Sequence, residues 1–145
     1  INGLFGKKLS KSLVGLIGSA SILAAFVCVL ITFANFISGG MEVQYVTAFE
    51  WFNIGDTTLA MSFQIDQLSL IMMTLVTGVG FLIHLYSIGY MHDDENYNRF
   101  FAYLNLFVFF MLLLVMGDNY VVMFTGWEGV GLCSYLLIGL LYFLW

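Results

Sequence analysis

The sequence predicts an all-α, polytopic transmembrane bundle of about four helices, with a short β-hairpin outside the membrane. The first observation is composition: 61% of the 145 residues are hydrophobic and only 9% are charged, whereas soluble domains carry about 25% charged residues. The second is that these few charges cluster and leave long apolar stretches between them. Together they indicate an integral membrane protein, and the net charge of −5 argues against nucleic-acid binding.

Four charge-poor stretches are each long enough to cross a bilayer, which takes about 20 apolar residues. They predict transmembrane helices at residues 12–38, 67–91, 100–117 and 119–145. Residues 1–11 hold Lys7, Lys8 and Lys11, three of the four basic side chains. We expect them to form a basic juxtamembrane segment or the end of a truncated helix. Because the first residue is Ile1 rather than methionine, we expect the chain to be a fragment of a longer protein.

Basic residues predict which side of the membrane each loop occupies, because they favour the cytoplasmic or matrix side. They place residues 1–11 and the 92–99 loop, which contains Arg99, on the inner side. The 39–66 loop then lies on the outer side. The three acids of the inner loop do not alter this assignment, since Asp and Glu contribute little to orientation.

The outer loop predicts a β-hairpin. Apolar side chains recur at every second residue from Leu59 to Ile65, which is the period of a strand. Turn-forming residues lie just upstream at 53–56. Trp51 and Phe52 are aromatic residues of the kind that occupy the membrane interface.

A second connection, Gly117-Asp118-Asn119, separates the last two predicted helices. Its composition predicts a tight turn. Asp118 also suits the N-cap of the following helix, since a carboxylate accepts hydrogen bonds from the free N–H groups there.

Glu128 is the strongest candidate for chemistry, because it lies near the middle of the last predicted helix. A charged side chain at that depth costs on the order of 3 kcal/mol. Apolar surroundings favour the neutral acid, so we interpret Glu128 as a proton-relay group. The alternative is a static acid that pairs with a base and only stabilises the bundle. The predicted helices contain no Lys or Arg, so that base would come from outside this chain.

A stripe of polar or small residues shares the helical face of Glu128, at 100° per residue. Its members are Thr125, Gly131, Tyr135, Gly139 and Tyr142. We expect this face to line a bundle interior or a water path rather than lipid, with Tyr135 along the path. Close helix packing through the glycines at 126, 129, 131 and 139 is an alternative that can hold at the same time.

His84 is the second candidate, in the predicted helix 67–91. Its helical face carries Ser69, Thr77, Gly80 and Ser87. Imidazole suits proton transfer near neutral pH, so His84 is either a proton relay or a hydrogen-bonded packing group. No second ligand lies at helical spacing, so His84 does not suggest a metal site. Asn105 in the next predicted helix predicts a hydrogen bond between helices.

Three parts of the sequence resemble a known family: 66–70 with 77–86, 99–107 and 126–139. The last reads GWEGVGLCSYLLIG and is the most specific of them. Over residues 60–142 the chain resembles the N-terminal part of the chain-5 (L) antiporter-like subunit of respiratory NADH:quinone oxidoreductase, complex I.

The resemblance implies a proton-translocating membrane subunit that couples redox energy to proton pumping. Glu128 would act with a lysine on a later helix, and this chain would stop within the first of two helical repeats. It implies no cofactor or metal in this chain, and places NADH, FMN, iron–sulfur clusters and quinone in partner subunits. The implied partners are the other membrane-arm and peripheral-arm subunits and the lipid of a bacterial plasma membrane or mitochondrial inner membrane.

Two alternatives stay open at this point. The same pattern occurs in the large subunit of multisubunit Na⁺/H⁺ antiporters and in membrane-bound hydrogenases. A structural membrane chain, in which Glu128 is a static bundle acid, is the alternative from another functional class.

Overall fold

The computed structural model describes residues 10–55 and 57–142. The elements along the chain are α1 Lys11–Ser38, β1 Gln44–Ile54, β2 Thr57–Ile65, α2 Gln67–Tyr90, α3 Tyr97–Met116 and α4 Tyr120–Tyr142. All four of these helices are long and apolar enough to cross a membrane. The predicted class, a polytopic helical bundle with one hairpin, is confirmed. Most of the predicted basic segment, residues 1–9, lies outside the described residues.

Helix α3 contacts the three other helices, and α1 also packs against α2. Helix α4 makes its main contact with α3. Two apolar clusters stabilise the opposite ends of this bundle. One consists of Val14, Met91, Tyr97, Phe100 and Phe101, and the other of Val29, Phe36, Leu70 and Met73. We call the first end the Lys11 end, because Lys11 Nζ donates to the carbonyl oxygen of His92 there at 3.1 Å, and the other the hairpin end.

Helix α3 begins at Tyr97, earlier than residue 100, where the charge pattern placed its start. Arg99 is exposed on the first helical turn, whereas Tyr97 and Phe100 are buried in the core. The charge pattern reports membrane depth, but the start of a helix depends on backbone hydrogen bonding and on which side chains are buried. A helix can therefore begin inside a polar segment.

The hairpin explains why only its second strand shows an alternating sequence. The strands are antiparallel, and their register shifts between Thr47 and Phe49 and again between Glu50 and Phe52. Each shift inserts one extra residue into β1, as in a β-bulge, and interrupts the two-residue period. The turn between the strands contains Gly55 at φ +60°, a conformation that glycine adopts without strain.

Asp66 fixes the start of α2 through a capping box. Its Oδ1 atom accepts a hydrogen bond from the Ser69 N–H at 2.7 Å, while the Ser69 Oγ accepts one from the Asp66 N–H at 2.8 Å. Gln64 Nε2 donates to the other carboxylate oxygen at 3.0 Å. These bonds, above all the one from the Ser69 N–H, stabilise the carboxylate and lower the pKa of Asp66 below its ordinary value.

The cap of α4 is Asn119, and the prediction that Asp118 takes this position was wrong. Asn119 Oδ1 accepts from the N–H groups of Val121 and Val122, both at 3.1 Å. The Asp118 carboxylate instead accepts a bond from the Ser62 hydroxyl at 2.8 Å. The connection after α3 thus joins the hairpin to the helices, because Asn119 Nδ2 also donates to the carbonyl oxygen of residue 60 at 2.9 Å.

Candidate functional site

Helix α4 packs closely against α3 through two of its glycines. A Cβ atom at Gly126 would lie only 2.6 Å from the backbone nitrogen of Leu114, and one at Gly129 would overlap the Phe110 ring. Only a hydrogen atom fits at these two positions, so the helices approach closely. The packing interpretation of the glycines therefore holds for this pair.

The other two glycines lie on the face of Glu128, and that face is exposed. A Cβ atom at Gly131 or Gly139 would have no atom within 4 Å. Tyr135 is 73% exposed and Tyr142 is 78% exposed. The stripe therefore lies on the outer surface of the described bundle, and its Tyr135 and Gly139 border α3.

Glu128 itself is exposed at mid-depth of α4. It lies about 12 Å along the axis from the start of the helix at Tyr120, at 1.5 Å per residue. Within residues 10–55 and 57–142 it makes no hydrogen bond or ion pair. Any group that neutralises or hydrates this carboxylate must therefore approach from outside the four-helix bundle.

A groove connects the Glu128 face with the Lys11 end. We call it the Arg99 groove; it has a volume of about 400 Å³ and lies between the beginning of α3 and the last turns of α4. It is lined by Asn96, Arg99, Tyr103, Tyr135, Leu136, Gly139 and Leu140. Tyr135 therefore belongs both to the stripe and to this groove.

His84 is fully buried at the centre of the bundle. Its Nδ1 atom lies 2.7 Å from the carbonyl oxygen of Gly80, which is a hydrogen bond with Nδ1–H as the donor. Its ring contacts Phe101 of α3 edge to face, with 6.0 Å between ring centroids. The Nε2 atom is buried and has no hydrogen-bond partner among the described residues.

The space beside His84 does not extend its hydrogen bonding. A cavity of about 180 Å³ lies next to the ring between α2 and α3, and its other lining side chains, such as Leu104 and Val108, are apolar. A buried water usually needs two to four polar partners. The hydrogen bond at Nδ1 therefore supports the interpretation of His84 as a packing group. On the His84 ring, only the Nε2 lone pair is left to bind a proton.

Asn105 makes the predicted hydrogen bond between helices. The Ser21 hydroxyl of α1 donates to Asn105 Oδ1 at 2.9 Å, and Asn105 Nδ2 donates to the carbonyl oxygen of Phe101 at 2.8 Å. The prediction for Asn105 is confirmed, and the bond links α1 to α3.

The structure does not bring the two proton-relay candidates together. His84 is buried between α2 and α3, whereas Glu128 lies on the outer face of α4. No cluster of three His, Cys, Asp or Glu side chains in the described part of the chain has the geometry to hold a metal ion.

The sequence analysis missed the polar residues of the Arg99 groove. It used Arg99 for orientation and did not single out Asn96 or Tyr103. One signal was present: Arg99 is the only basic residue after position 11. What the sequence did not reveal is that α4 places Tyr135 beside it.

Comparison with known proteins identifies the family. The family described as NADH-Ubiquinone oxidoreductase (complex I), chain 5 N-terminus, matches residues 51–101. NADH-quinone oxidoreductase subunit L of Escherichia coli (strain K12) is 46% identical over 129 residues, which cover 89% of this chain and 20% of the relative. The chain belongs to the chain-5, or subunit L, family.

Other subunit L proteins give the same result. The subunit L of Mycobacterium tuberculosis (strain ATCC 25618 / H37Rv) is 47% identical over 141 residues, covering 96% of this chain and 22% of the relative. That of Campylobacter jejuni is 49% identical over 133 residues, covering 91% and 21%. The chain thus spans only about a fifth of the length of the subunit L proteins it matches.

Proposed function

We propose that this chain is an N-terminal part of a proton-translocating subunit L in an NADH:quinone oxidoreductase. The observation that supports the proposal most directly is Glu128, an acid at mid-depth of an apolar helix, on a polar stripe that points out of the bundle. An acid in this position is costly in a membrane and is typical of proton pathways. The relatives carry the name of an oxidoreductase subunit, so the Na⁺/H⁺ antiporter is not the favoured interpretation.

Glu128 would work by changing its protonation state. When a cationic side chain approaches from a further segment of the protein, the carboxylate is stabilised and a proton leaves to water. When the cation withdraws, the carboxylate takes up a proton from water on the other side. Tyr135 lies seven residues along the helix, about 10 Å away at 1.5 Å per residue, and roughly three hydrogen-bonded waters at 2.8 Å spacing would bridge that distance.

The redox chemistry would take place elsewhere. We propose that NADH, FMN, iron–sulfur clusters and quinone bind to partner subunits, and that this chain contributes no redox centre. Its partners would be other membrane-arm and peripheral-arm subunits of the complex. Its place would be the bacterial plasma membrane or the mitochondrial inner membrane, with residues 1–11 and the 92–99 loop on the inner side.

The test is the Glu128→Gln variant of the full-length protein, assembled in its complex and reconstituted in vesicles. Glutamine keeps the size and polarity of the side chain but cannot release a proton, so we expect fewer protons pumped per NADH oxidised. Glu95→Gln, which removes an exposed acid of the 92–99 loop, is the matched control and should leave the yield unchanged.

Each competing interpretation predicts a different result. A static acid predicts less assembled complex in Glu128→Gln but a normal proton yield from the complex that remains. Wild-type yield with normal assembly would rule out the relay role. Two further variants test the weaker candidates. Tyr135→Phe should slow proton transfer if the Tyr135 hydroxyl orders the water path. His84→Gln should lower the number of protons pumped per NADH only if the Nε2 lone pair binds the moving proton.

A further inference from the structure

The Arg99 groove has a lining that suits an anion. Each of its four polar side chains, Asn96, Arg99, Tyr103 and Tyr135, can donate hydrogen bonds, and no acid lines it. Arg99 has no ion-pair partner within the described residues. The nearby Asp94 carboxylate accepts a bond from the backbone N–H of Asn96 at 2.6 Å instead.

Asn96 adds a second observation. It occupies the N-cap position of α3, yet its side chain makes no capping hydrogen bond. An asparagine at this position normally accepts a bond from the N–H groups of the first turn. In this structure the side chain lines the groove instead, beside Arg99.

The groove combines polar side chains, most of them on α3, with apolar residues of α4. Arg99 lies in the first turn of a helix that is long and apolar enough to cross a membrane, and the end of such a helix belongs near the lipid headgroups. Tyr103 lies one helical turn deeper, about 6 Å along the axis. The wall opposite belongs to α4, where Leu136, Gly139 and Leu140 are apolar and Tyr135 is polar.

We propose that the Arg99 groove binds one anionic phospholipid. Its phosphodiester oxygens accept hydrogen bonds from Arg99 and Asn96, and one acyl chain runs past Tyr103 against Leu136 and Leu140. A guanidinium donates to a phosphate through two parallel N–H groups, which makes the contact specific. This inference does not rest on proton transfer by Glu128, so either proposal can fail without the other.

Other occupants fit the groove less well. A lipid with an ammonium headgroup finds no acid in the lining to pair with its positive charge. Free inorganic phosphate would leave the surfaces of Leu136 and Leu140 uncovered. A further helix of the full-length protein would have to bring an acid to Arg99 and remove it from water, which costs more than contact with a lipid phosphate at the interface.

The test uses a phosphatidylglycerol probe with a photoreactive acyl chain, added to the full-length protein in its assembled complex. After illumination and digestion, we expect the probe on the peptide that contains residues 136–140. Arg99→Gln should lower this labelling about tenfold, because a hydrogen bond to a charged group is lost. Arg99→Lys keeps the charge but loses the paired N–H groups, so it should restore only part of the labelling. Lys11→Gln removes an exposed cation at the same end of the bundle and should change nothing.

A second variant tests the shape of the groove with Arg99 intact. Gly139 lines the groove and has open space around the position of a Cβ atom, so Gly139→Leu adds apolar volume to the groove. We expect it to lower labelling at residues 136–140 as strongly as Arg99→Gln does. Unlabelled phosphatidylglycerol should compete with the probe, and phosphatidylcholine should not.

Several results would overturn the proposal. Absence of labelling in the wild-type protein would mean that another segment covers the groove. Equal loss in Arg99→Gln and Lys11→Gln would mean general attraction to surface charge. Full competition by millimolar inorganic phosphate would mean that the groove is a phosphate site, and equal labelling by a phosphatidylcholine probe would rule out selection of an anionic headgroup.

Discussion

Two glycine-to-alanine substitutions should change stability in opposite directions, because the structure gives their new methyl groups different space. At Gly126 a Cβ atom would lie 2.6 Å from the Leu114 nitrogen and 2.8 Å from the Leu114 Cα. At Gly80 the nearest atoms are the Val108 Cγ2 at 3.5 Å and the Ile22 Cγ2 at 3.9 Å, which is ordinary contact. Both glycines are buried inside the described bundle.

The expected size of each effect follows from these distances. Alanine is about 1 kcal/mol more favourable than glycine in a helix interior. Gly80→Ala should therefore raise the free energy of unfolding by about 1 kcal/mol. Gly126→Ala gains the same amount but must push the α3 backbone away by close to 1 Å, and overpacking of this kind costs about 3 kcal/mol at the upper end of its range. Its net effect is a loss of about 2 kcal/mol.

The difference between the two variants is then about 3 kcal/mol, or roughly 150-fold in the folding equilibrium. The assay is unfolding of the full-length protein in mild detergent, by heat and by titration with a denaturing detergent. If Gly126→Ala stabilised the protein as much as Gly80→Ala, α4 would not pack against α3 as described. The separation of packed glycines from the Glu128 face would then be wrong.

Two further predictions concern the polar contacts at the hairpin end. Asp66 has a lowered pKa in the folded protein because its carboxylate accepts a hydrogen bond from the Ser69 N–H. The carboxylate therefore stabilises the fold fully above the ordinary pKa of aspartate. This contribution is lost as the pH falls through the lowered pKa of the folded protein. Asp66→Asn should flatten this part of the stability profile measured by thermal unfolding between pH 2 and 5, and an unchanged profile would exclude Asp66 as its source. Asn119→Ala should lower the free energy of unfolding by about 1–2 kcal/mol, because it removes the α4 cap and the bond to the hairpin. Asn53→Ala at the exposed hairpin tip is its control, and equal losses in the two variants would contradict the anchoring role.

The outward position of Glu128 has a consequence for how the full-length protein is built. Further segments, which make up about four fifths of the subunit L relatives, have room to contact the exposed face of α4. Glu128 is thus placed where a second structural unit can meet the first. The same arrangement leaves His84 inside the first unit, where its ring is held by Gly80 and Phe101.

The sequence alone determined the features that depend on neighbours along the chain. The four spans follow from charge-free length, and the second strand from its two-residue period. Of the residues predicted to form the turn, Gly55 does so, Asn53 and Ile54 belong to β1, and residue 56 lies outside the described residues. The mid-helix depth of Glu128 follows from counting at 1.5 Å per residue. These predictions need no knowledge of which helix packs on which. The strand prediction rests on β2 alone, so the two register shifts in β1 do not affect it.

Only the tertiary structure decided which face of each helix meets another helix. The sequence treated four glycines of α4 alike, whereas Gly126 and Gly129 contact α3 and Gly131 has open space. It offered Asp118 as a cap, but a serine 56 residues away occupies that carboxylate and leaves the role to Asn119. It marked Arg99 as the only Lys or Arg after position 11 but did not show that α4 places Tyr135 in the same groove. Each of these outcomes depends on contacts between segments that are distant in sequence, and hydrophobic periodicity within one segment does not specify its partner.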